Sequence, residues 1–365
     1  MSSDEVAPTA RTVTIQDVAR LAGVSTATVS RAIALPDRVA AATREAVFSA
    51  IRETGYTPNA AARSLRAKST RMVLVLLPGL GNSFFTPVLD ALEEVFSSQG
   101  YGVLVGYARQ SRSRETHYAR LIRGGQVDGV LVITGKVLRD EEFLTLPETV
   151  PISLMFCEIP GADQFSVFDV DNRLASAALV RHLIAAGHRR IAHIAGPDGS
   201  LESDERLAGF RDAHSEAGLP VDESLVWHGA GNFDFVSGDR AVAAYLASAA
   251  RPTAVFAAAD EIALGFMRGL KNYGVSVPDD VSIVGFDDTE YAQHYDPALT
   301  TVRQPRTELG RLAAEDLLRR MMAKHETSPA RVRLPCELII RESVRRIGSG
   351  ARTKAAVPAA AKRSV

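Results

Sequence analysis

The chain has 365 residues, too many for one ordinary domain and enough for two or three hydrophobic cores. Its 42 basic and 43 acidic side chains leave a formal charge of −1, so any strongly basic surface has to be local. Cys157 and Cys336 are the only cysteines and form no C-x-x-C pair, which excludes a disulfide framework and a thiolate zinc site; buried free thiols are expected. The first residues, MSSDEVAPTA, contain no basic and apolar stretch of the kind that directs secretion, and apolar runs such as Met72 to Leu77 are too short to span a bilayer. The expected location is the cytoplasm, with no membrane partner.

In chain order, Thr14 is placed to cap a first helix, with Asp17 as its acidic partner and Ile15, Val18, Ala19 and Ala22 on one face. Gly23 ends that helix and Ser25 caps a second, in which Val24, Val29 and Ile33 pack beneath while Thr26, Ala27, Ser30 and Arg31 face outward. Helix, glycine turn and helix form a unit that can lay its second helix in the DNA major groove, where small polar residues reach base edges and arginine bonds guanine. Thr26, Ala27 and Arg31 are the candidate base readers, and Thr14, Ser25 and Thr28 complete the candidate DNA-contacting set of this head. An ordinary helical hairpin with a polar face would show the same two-helix pattern.

A third helix fits residues 41 to 54, with Val47 and Ile51 one turn apart and Gly55 as its stop. After Gly55-Tyr56-Thr57-Pro58 comes the alanine-rich run Asn59 to Arg66, too short to hold a helix alone in water and expected to order on binding. Between Thr12 and Arg71 nine basic residues face four acidic ones, a net of +5 in a chain of −1. Basic character is therefore confined to one end, as when only that end meets phosphate.

TIQDVARLAGVSTATVSR and the later YTPNAAARSLR resemble the lactose/galactose repressor family of bacterial transcription factors almost position for position. The resemblance implies a dimer bound to a double-stranded operator, with paired hinge helices in the minor groove. It assigns hinge contacts to Asn59 and Arg63, and to Leu65 the role of a wedge between base pairs, whose unstacking cost is offset by contacts to bent DNA. One departure is Ala40, where the family usually has serine before the third helix; a cap and a phosphate contact are weakened there.

Beyond the hinge, apolar β-rich runs alternate with helical stretches. Met72 to Leu77, a helix near 85 to 98, Val103 to Val105, a helix near 113 to 124 and Gly129 to Ile133 form one series, with a further strand at Pro151 to Met155. A second series runs through the helix 172 to 186, Ile191 to Ile194, the helix 204 to 217, Val226-Trp227, the helix 237 to 249, Ala254 to Phe256, the helix 260 to 272 and Val281 to Phe286. This order implies βαβ units and two parallel sheets. GHRRIAHIAGP, RLAGF, PTAVFAAADEIALG, VPDDVSIVGFDD, PALTTVRQP and CELIIRES extend the family resemblance through this region. The expected fold class is an N-terminal all-α helix-turn-helix head plus an α/β two-lobed core of two doubly wound sheets, similar to periplasmic sugar-binding proteins. Its parts are a head over 12–58, a hinge over 59–70, a core over 71–346 and a disordered tail over 347–365. Three crossings near 170, 300 and 330 give a first lobe of about 71–170 plus 302–330 and a second of about 171–300 plus 331–346.

Ligands of such sheets bind beyond the carboxyl ends of strands. The resemblance places Asp287 and Arg206 on a small polyhydroxylated effector, a sugar or nucleoside, and Phe84, Phe85 and Phe233 against its ring. A carboxylate accepts two hydroxyl hydrogen bonds and a guanidinium fork holds vicinal oxygens. Asp288 is assigned the cap of the following helix. Phe156, Cys157 and Ala259 stand where sugar-binding members often carry polar side chains, which argues against copying a hexose pocket. Within the family the agreement is strongest with a nucleoside-responsive repressor, and a flat base would suit the three phenylalanines.

No G-x-S-x-G, P-loop, H-E-x-x-H or complete G-x-G-x-x-G stands in a fitting context, so no enzyme activity, cofactor or metal is expected; His182, His188 and His193 are spaced for packing rather than ligation. A transporter's solute-binding protein, or a ligand sensor with a degenerate head, would share the two-lobed fold. The head and the missing export signal weigh against the first. The tail after Arg346 carries no leucine heptad, so a dimer rather than a zipper tetramer is expected.

Overall fold

The computed structural model describes residues 13–57, 69–107, 112–133, 150–157, 163–229, 231–323 and 327–348. The hinge candidates Asn59, Arg63 and Leu65 and nearly all of the tail lie outside the described residues. The chain divides between Thr70 and Arg71 into two compact units.

The first unit holds α1 (Ile15–Leu21), α2 (Thr26–Ala34) and α3 (Ala41–Thr54). Thr14 and Asp17 form a capping box on α1, Ser25 Oγ accepts the Thr28 N–H at 3.1 Å on α2, and α3 ends at Gly55 with φ 65°. Val18, Ala19, Val29, Ala32, Val47 and Ala50 are its buried core. A buried valine contributes about 1.5–3 kcal/mol, so so small a core is marginal against chain entropy and each cap matters. Ala40 stands at the N-cap of α3 in an extended conformation with no side-chain bond.

The second unit has two lobes. In the first, β1 (Met72–Leu77), β2 (Gly102–Tyr107), β3 (Gly129–Ile133), β4 (Ile152–Met155), β5 (Ser166–Val170) and β11 (Arg331–Leu334) form a parallel sheet in the order β11-β5-β4-β3-β1-β2. Around it lie α4 (Thr86–Ser98), α5 (Arg112–Arg123) and α11 (Arg306–Met322), with apolar clusters on both faces of the sheet. In the second lobe, β6 (Ile191–Ala195), β7 (Val226–His228), β8 (Ala254–Ala257) and β9 (Ser282–Val284) form a parallel sheet ordered β7-β6-β8-β9. It packs against α6 (Asn172–Ala185), α7 (Leu201–Glu216), α8 (Phe235–Ala247) and α9 (Asp260–Lys271). The short α10 (Glu290–His294) follows β9, and β10 (Thr301–Arg303) pairs antiparallel with β12 (Glu337–Ile339).

Two lobe boundaries differ from those expected. Arg331–Leu334 pairs in parallel with Val167–Val170, so it closes the first lobe's sheet instead of opening the final segment of the second, and the third crossing follows Leu334. Val302 and Arg303 stay with the second lobe, because Arg303 bridges Asp287 and pairs with Glu337; the second crossing falls at Gln304-Pro305. β11 is an edge strand with alternating exposure, which hides it from an apolar-run search.

Buried His188 ties the chain's last described residues to the second lobe. Its Nε2–H donates to the Arg345 carbonyl at 3.1 Å, which leaves Nδ1 to accept from the Thr253 hydroxyl at 3.0 Å. Burial pushes its pKa down to about 4. A folded value below the unfolded one adds stability above about pH 6.5 that fades as pH falls towards 4. His188→Asn is therefore expected to lower the core's denaturant midpoint at pH 7.5, with the gap to the unchanged protein narrowing between pH 6.5 and 4. In the head, Ala40→Ser is expected to raise stability by about 1 kcal/mol, read from the helical signal in thermal unfolding of the whole chain.

Candidate functional site

On the head, Ser25, Thr26, Ala27 and Arg31 are exposed along α2, while Val29 and Ala32 are buried beneath them. Thr28 is half-buried and meets Ser25 side chain to side chain at 2.9 Å. Thr14, also exposed, hydrogen-bonds Asp17 with both its N–H, at 3.0 Å, and its hydroxyl, at 2.8 Å. The first turn of α2, capped by Ser25, thus presents small side chains, with Arg31 exposed in the last turn, a surface able to approach base edges closely.

In the core, the carboxyl ends of the strands converge on Arg206. Gly209, one turn further along α7, lets that helix press on α6, since a β-carbon there would collide with the Arg173 carbonyl. This approach brings Arg206 against Asn172 at the start of α6. Arg206 is 5% exposed; its Nε donates to Asn172 Oδ1 at 2.9 Å and its Nη1 to the Ala258 carbonyl at 2.6 Å. The guanidinium lies 3.9 Å over the Phe286 ring and 5.3 Å from that of Phe233, and 3.8 Å from Asp287 Oδ1. Arg206, Phe233 and Asp287, expected from separate segments, therefore meet in one cluster.

Asp287 and Asp288 follow β9 with φ of 124° and 51°, conformations L-residues rarely adopt, each costing about 1–3 kcal/mol unless the surroundings impose them. The surroundings do. The Asp287 N–H donates to the Val302 carbonyl at 2.8 Å, and Gln304 Nε2 donates to its carboxylate at 2.7 Å. The Asp288 carboxylate accepts from Arg303 at 2.7 Å and Arg341 at 2.6 Å, so it anchors this turn and does not cap the next helix; Thr289 stands at the N-cap of α10. Asp260, fully buried at the start of α9, accepts from the Thr289 N–H at 2.7 Å and the Thr301 hydroxyl at 2.5 Å, while its own N–H donates to the Phe286 carbonyl at 2.8 Å. Burial raises the pKa of Asp260, with Asp287 adding to the shift; burial also raises that of Asp287, which Arg206, Arg306 and Gln304 hold back.

Phe84 and Phe85 lie on the other side of the cleft. Phe84 is buried in the first lobe's core, edge-on to Phe85 and to Phe156, each with ring centroids 5.1 Å away. The aromatic at 156 thus packs against Phe84. Asn82 Oδ1 accepts the Phe84 N–H at 2.8 Å and its Nδ2 reaches the Phe233 carbonyl at 3.4 Å, which links the two aromatic sets across the lobes. Arg306 makes a second link, donating to the Phe84 carbonyl at 3.3 Å and the Asp288 carbonyl at 2.8 Å. Glu261, in the first turn of α9, accepts the Ser83 N–H, and burial, with Asp287 and Asp234, pushes its pKa up to about 7.

Asn82, Asn172, Asp260, Glu261, Gln304 and Arg306 escaped sequence reasoning. Asn172 and Gln304 stand at lobe crossings, and that position was the one available signal. Among the described residues no group of three or more His, Cys, Asp and Glu is arranged to hold a metal ion, and no helix is long and apolar enough to cross a membrane.

Residues 14–59 match the model of bacterial regulatory proteins of the lacI family, and residues 180–344 that of a periplasmic binding protein-like domain. The HTH-type transcriptional repressor CytR of Escherichia coli (strain K12) is 37% identical over 332 residues, covering 91% of this chain and 96% of that protein. The repressor PurR of Vibrio parahaemolyticus is 38% identical, covering 92% and 99%. Among solved structures, a lac repressor dimer bound to operator and an anti-inducer superposes with a TM-score of 0.80 at 28% identity, covering 92% of this chain and 100% of that one. A complex of the regulator CelR with cellobiose gives 0.70 at 35% identity, covering 91% and 99%.

Removing the cation from a buried pair costs about 3–5 kcal/mol because the partner charge is left unpaired. Arg206→Met, which keeps much of the apolar volume, is expected to destabilise the core by about that amount at pH 8 in urea unfolding. The loss should shrink in acid as Asp287 takes up a proton.

Proposed function

This chain belongs to the lacI family of bacterial regulatory proteins, and we propose that it is a cytoplasmic repressor that binds a pseudo-palindromic operator as a dimer and is switched by a small polyhydroxylated effector in the inter-lobe cleft. The observation that carries this reading is that one chain holds both an exposed polar helix face at Thr26, Ala27 and Arg31, capped by Ser25, and a buried charged cleft around Arg206 and Asp287. The first suits base edges and the second suits vicinal hydroxyls. Thr26, Ala27 and Arg31 read the half-site, Thr14, Ser25 and Thr28 support the approach, and Asn59, Arg63 and Leu65 engage the operator centre. In the cleft, Arg206 and Asp287 bind effector hydroxyls, and Phe85 and Phe233, both half-buried, flank its ring beside Phe84. No catalytic step is assigned, because the cleft's ionisable groups form a carboxylate and arginine network suited to holding a ligand.

An effector shifts operator affinity only through unequal affinity for two lobe arrangements, and coupling of about 1–3 kcal/mol is typical. Arg306 and Asn82 join the lobes beside the cleft, so a ligand that changes their spacing changes those bonds first.

Selection of operators by the purified protein from random duplex DNA, with and without a panel of nucleosides, sugars and sugar phosphates, tests the reading. Enrichment of a palindrome that one compound abolishes or creates is expected; no enrichment under any condition would overturn it. On the selected operator, Leu65→Ala is expected to weaken binding by roughly tenfold or more, the loss of a wedge contact worth a few kcal/mol, with effector affinity retained.

A further inference from the structure

The edge of the first lobe's sheet lends a cation to the second lobe. Arg333, on β11, donates from Nη2 to Glu205 Oε1 at 3.2 Å, and Glu205 belongs to α7 of the second lobe. The grip is incomplete. A guanidinium that meets a carboxylate with both nitrogens satisfies both oxygens, as Arg173 does on Asp212 at 2.5 and 2.8 Å, yet Glu205 Oε2 is left buried without a partner. The Arg333 side chain is 50% exposed, so it can turn without leaving water.

A second carboxylate stands within reach of the same cation. Arg333 and Asp169 are register partners in the parallel pairing of β11 with β5. Their flanking residues, Val332 and Leu334 on one strand and Phe168 and Val170 on the other, belong to the apolar cluster on one face of the sheet. Side chains alternate along a strand, so Arg333 and Asp169 both project from the opposite face, on strands about 4.8 Å apart. Asp169 is 4% exposed, and its carboxylate accepts the Val170 N–H at 2.7 Å but has no ion-pair partner among the described residues. Burial pushes its pKa up to about 7; the Val170 N–H opposes that, Glu202 and Glu205 on α7 add to it, and Arg333 opposes it more weakly. The Cys336 thiol, which also senses Asp169, is neutral up to about 12.

We propose that Arg333 is an exchangeable cation: Glu205 holds it while the lobes are bridged, and Asp169, in its own lobe, takes it when they part. The proposal rests on the reading of the core as two lobes that rearrange. In the bridged arrangement Asp169 is buried without a cation and keeps its proton below about pH 7. A guanidinium turned onto it favours the carboxylate, so parting passes the carboxyl proton to solvent. A group that binds its proton more tightly in the bridged arrangement makes parting more favourable as pH rises towards 7, with no further gain above it. Exchange also offsets the cost of parting, because Arg333 leaves one carboxylate for another.

Pulsed electron-spin distances in the full chain test this, between labels at Gln126→Cys in the first lobe and Ser215→Cys in the second, both exposed positions, with labelled chains diluted in unlabelled ones. Cys157 is buried and the Cys336 thiol neutral at pH 7, so neither competes for label. The ratio of parted to bridged distances is expected to rise roughly tenfold or more between pH 5 and 7 and to level off above, as release of one proton per parting dictates. Asp169→Asn is expected to remove that rise and keep the lobes bridged. Glu205→Gln, which leaves Arg333 to Asp169 at every pH, is expected to favour the parted distance throughout, and Arg333→Gln to remove the rise. Opposite shifts from two acids are what exchange requires, whereas a merely structural role moves both the same way. Glu261, which titrates near 7 beside the cleft, is unaltered in every chain compared, so its share cancels. Should Asp169→Asn fail to fold, the variants at the more exposed Glu205 and Arg333 carry the test. A rise that survives in Asp169→Asn or Arg333→Gln, or a distance that pH leaves unchanged in the unaltered chain, would overturn the exchange, while operator selection reports separately on the effector and DNA reading.

Discussion

The burial of one guanidinium organises the core. Arg206 cannot be left unpaired at 5% exposure, and it is met by an amide oxygen, a backbone carbonyl, a carboxylate and two aromatic rings drawn from four segments. An uncompensated charge there would cost several kcal/mol. That constraint explains the distorted turn at Asp287 and Asp288, where backbone strain is accepted so that a carboxylate can face the cation. It also explains Asp260, which spends its hydrogen-bonding capacity on the turn that carries Asp287 and none on the cleft. The second lobe is built from its charge network outward as much as from its apolar clusters.

The same logic makes the hinge the informative place. Asn172, Gln304 and Cys336 lie at the three crossings, and burial pushes the Cys336 thiol up to about 12, with Asp169, Asp287 and Asp171 adding to the shift and Arg206 opposing it. The half-buried neutral thiol packs as a small apolar group against both lobes' clusters, so the third crossing contributes packing, whereas the other two contribute amides. Asn172 and Gln304, at the crossings, bond to Arg206 and Asp287 of the second lobe, whereas Asn82 of the first lobe meets Phe233 of the second across the cleft.

Local signals were legible in the sequence. Thr14, Ser25 and Gly55 marked helix ends by chemistry that acts over three or four residues, and the apolar runs of the parallel strands showed because both faces are covered. Arg206 and Asp287 were accessible through family resemblance, since neither periodicity nor charge distinguishes a buried arginine in RLAGF from a surface one. Asp169, Glu202, Gln304 and Asn172 were not accessible, because burial and pairing depend on contacts between segments tens of residues apart. Gln304 meets Asp287 only because β10 runs beside the turn after β9, and Asp169 lies opposite Arg333 across a pairing that spans more than a hundred and fifty residues. Asp288 was misread for the same reason: a cap is a local inference, and two distant arginines outcompete it.

The bonds that join the lobes differ in length. Asn82 reaches Phe233 at 3.4 Å and Arg333 reaches Glu205 at 3.2 Å, whereas Arg306, on the first lobe's α11, donates to the Asp288 carbonyl at 2.8 Å. Single hydrogen bonds are each worth about 0.5–3 kcal/mol net, so the exchange of two of them is on the scale of a few kcal/mol. Moving a two-state population from one part in a hundred to ninety-nine takes about 5.5 kcal/mol of differential binding. A ligand that completes several open hydrogen bonds in one arrangement and fewer in the other reaches that scale. On the proposed effector reading, polar atoms left without a partner, such as Gln304 Oε1 and Asn172 Nδ2 beside the Arg206 and Asp287 pair, are a source of that differential binding.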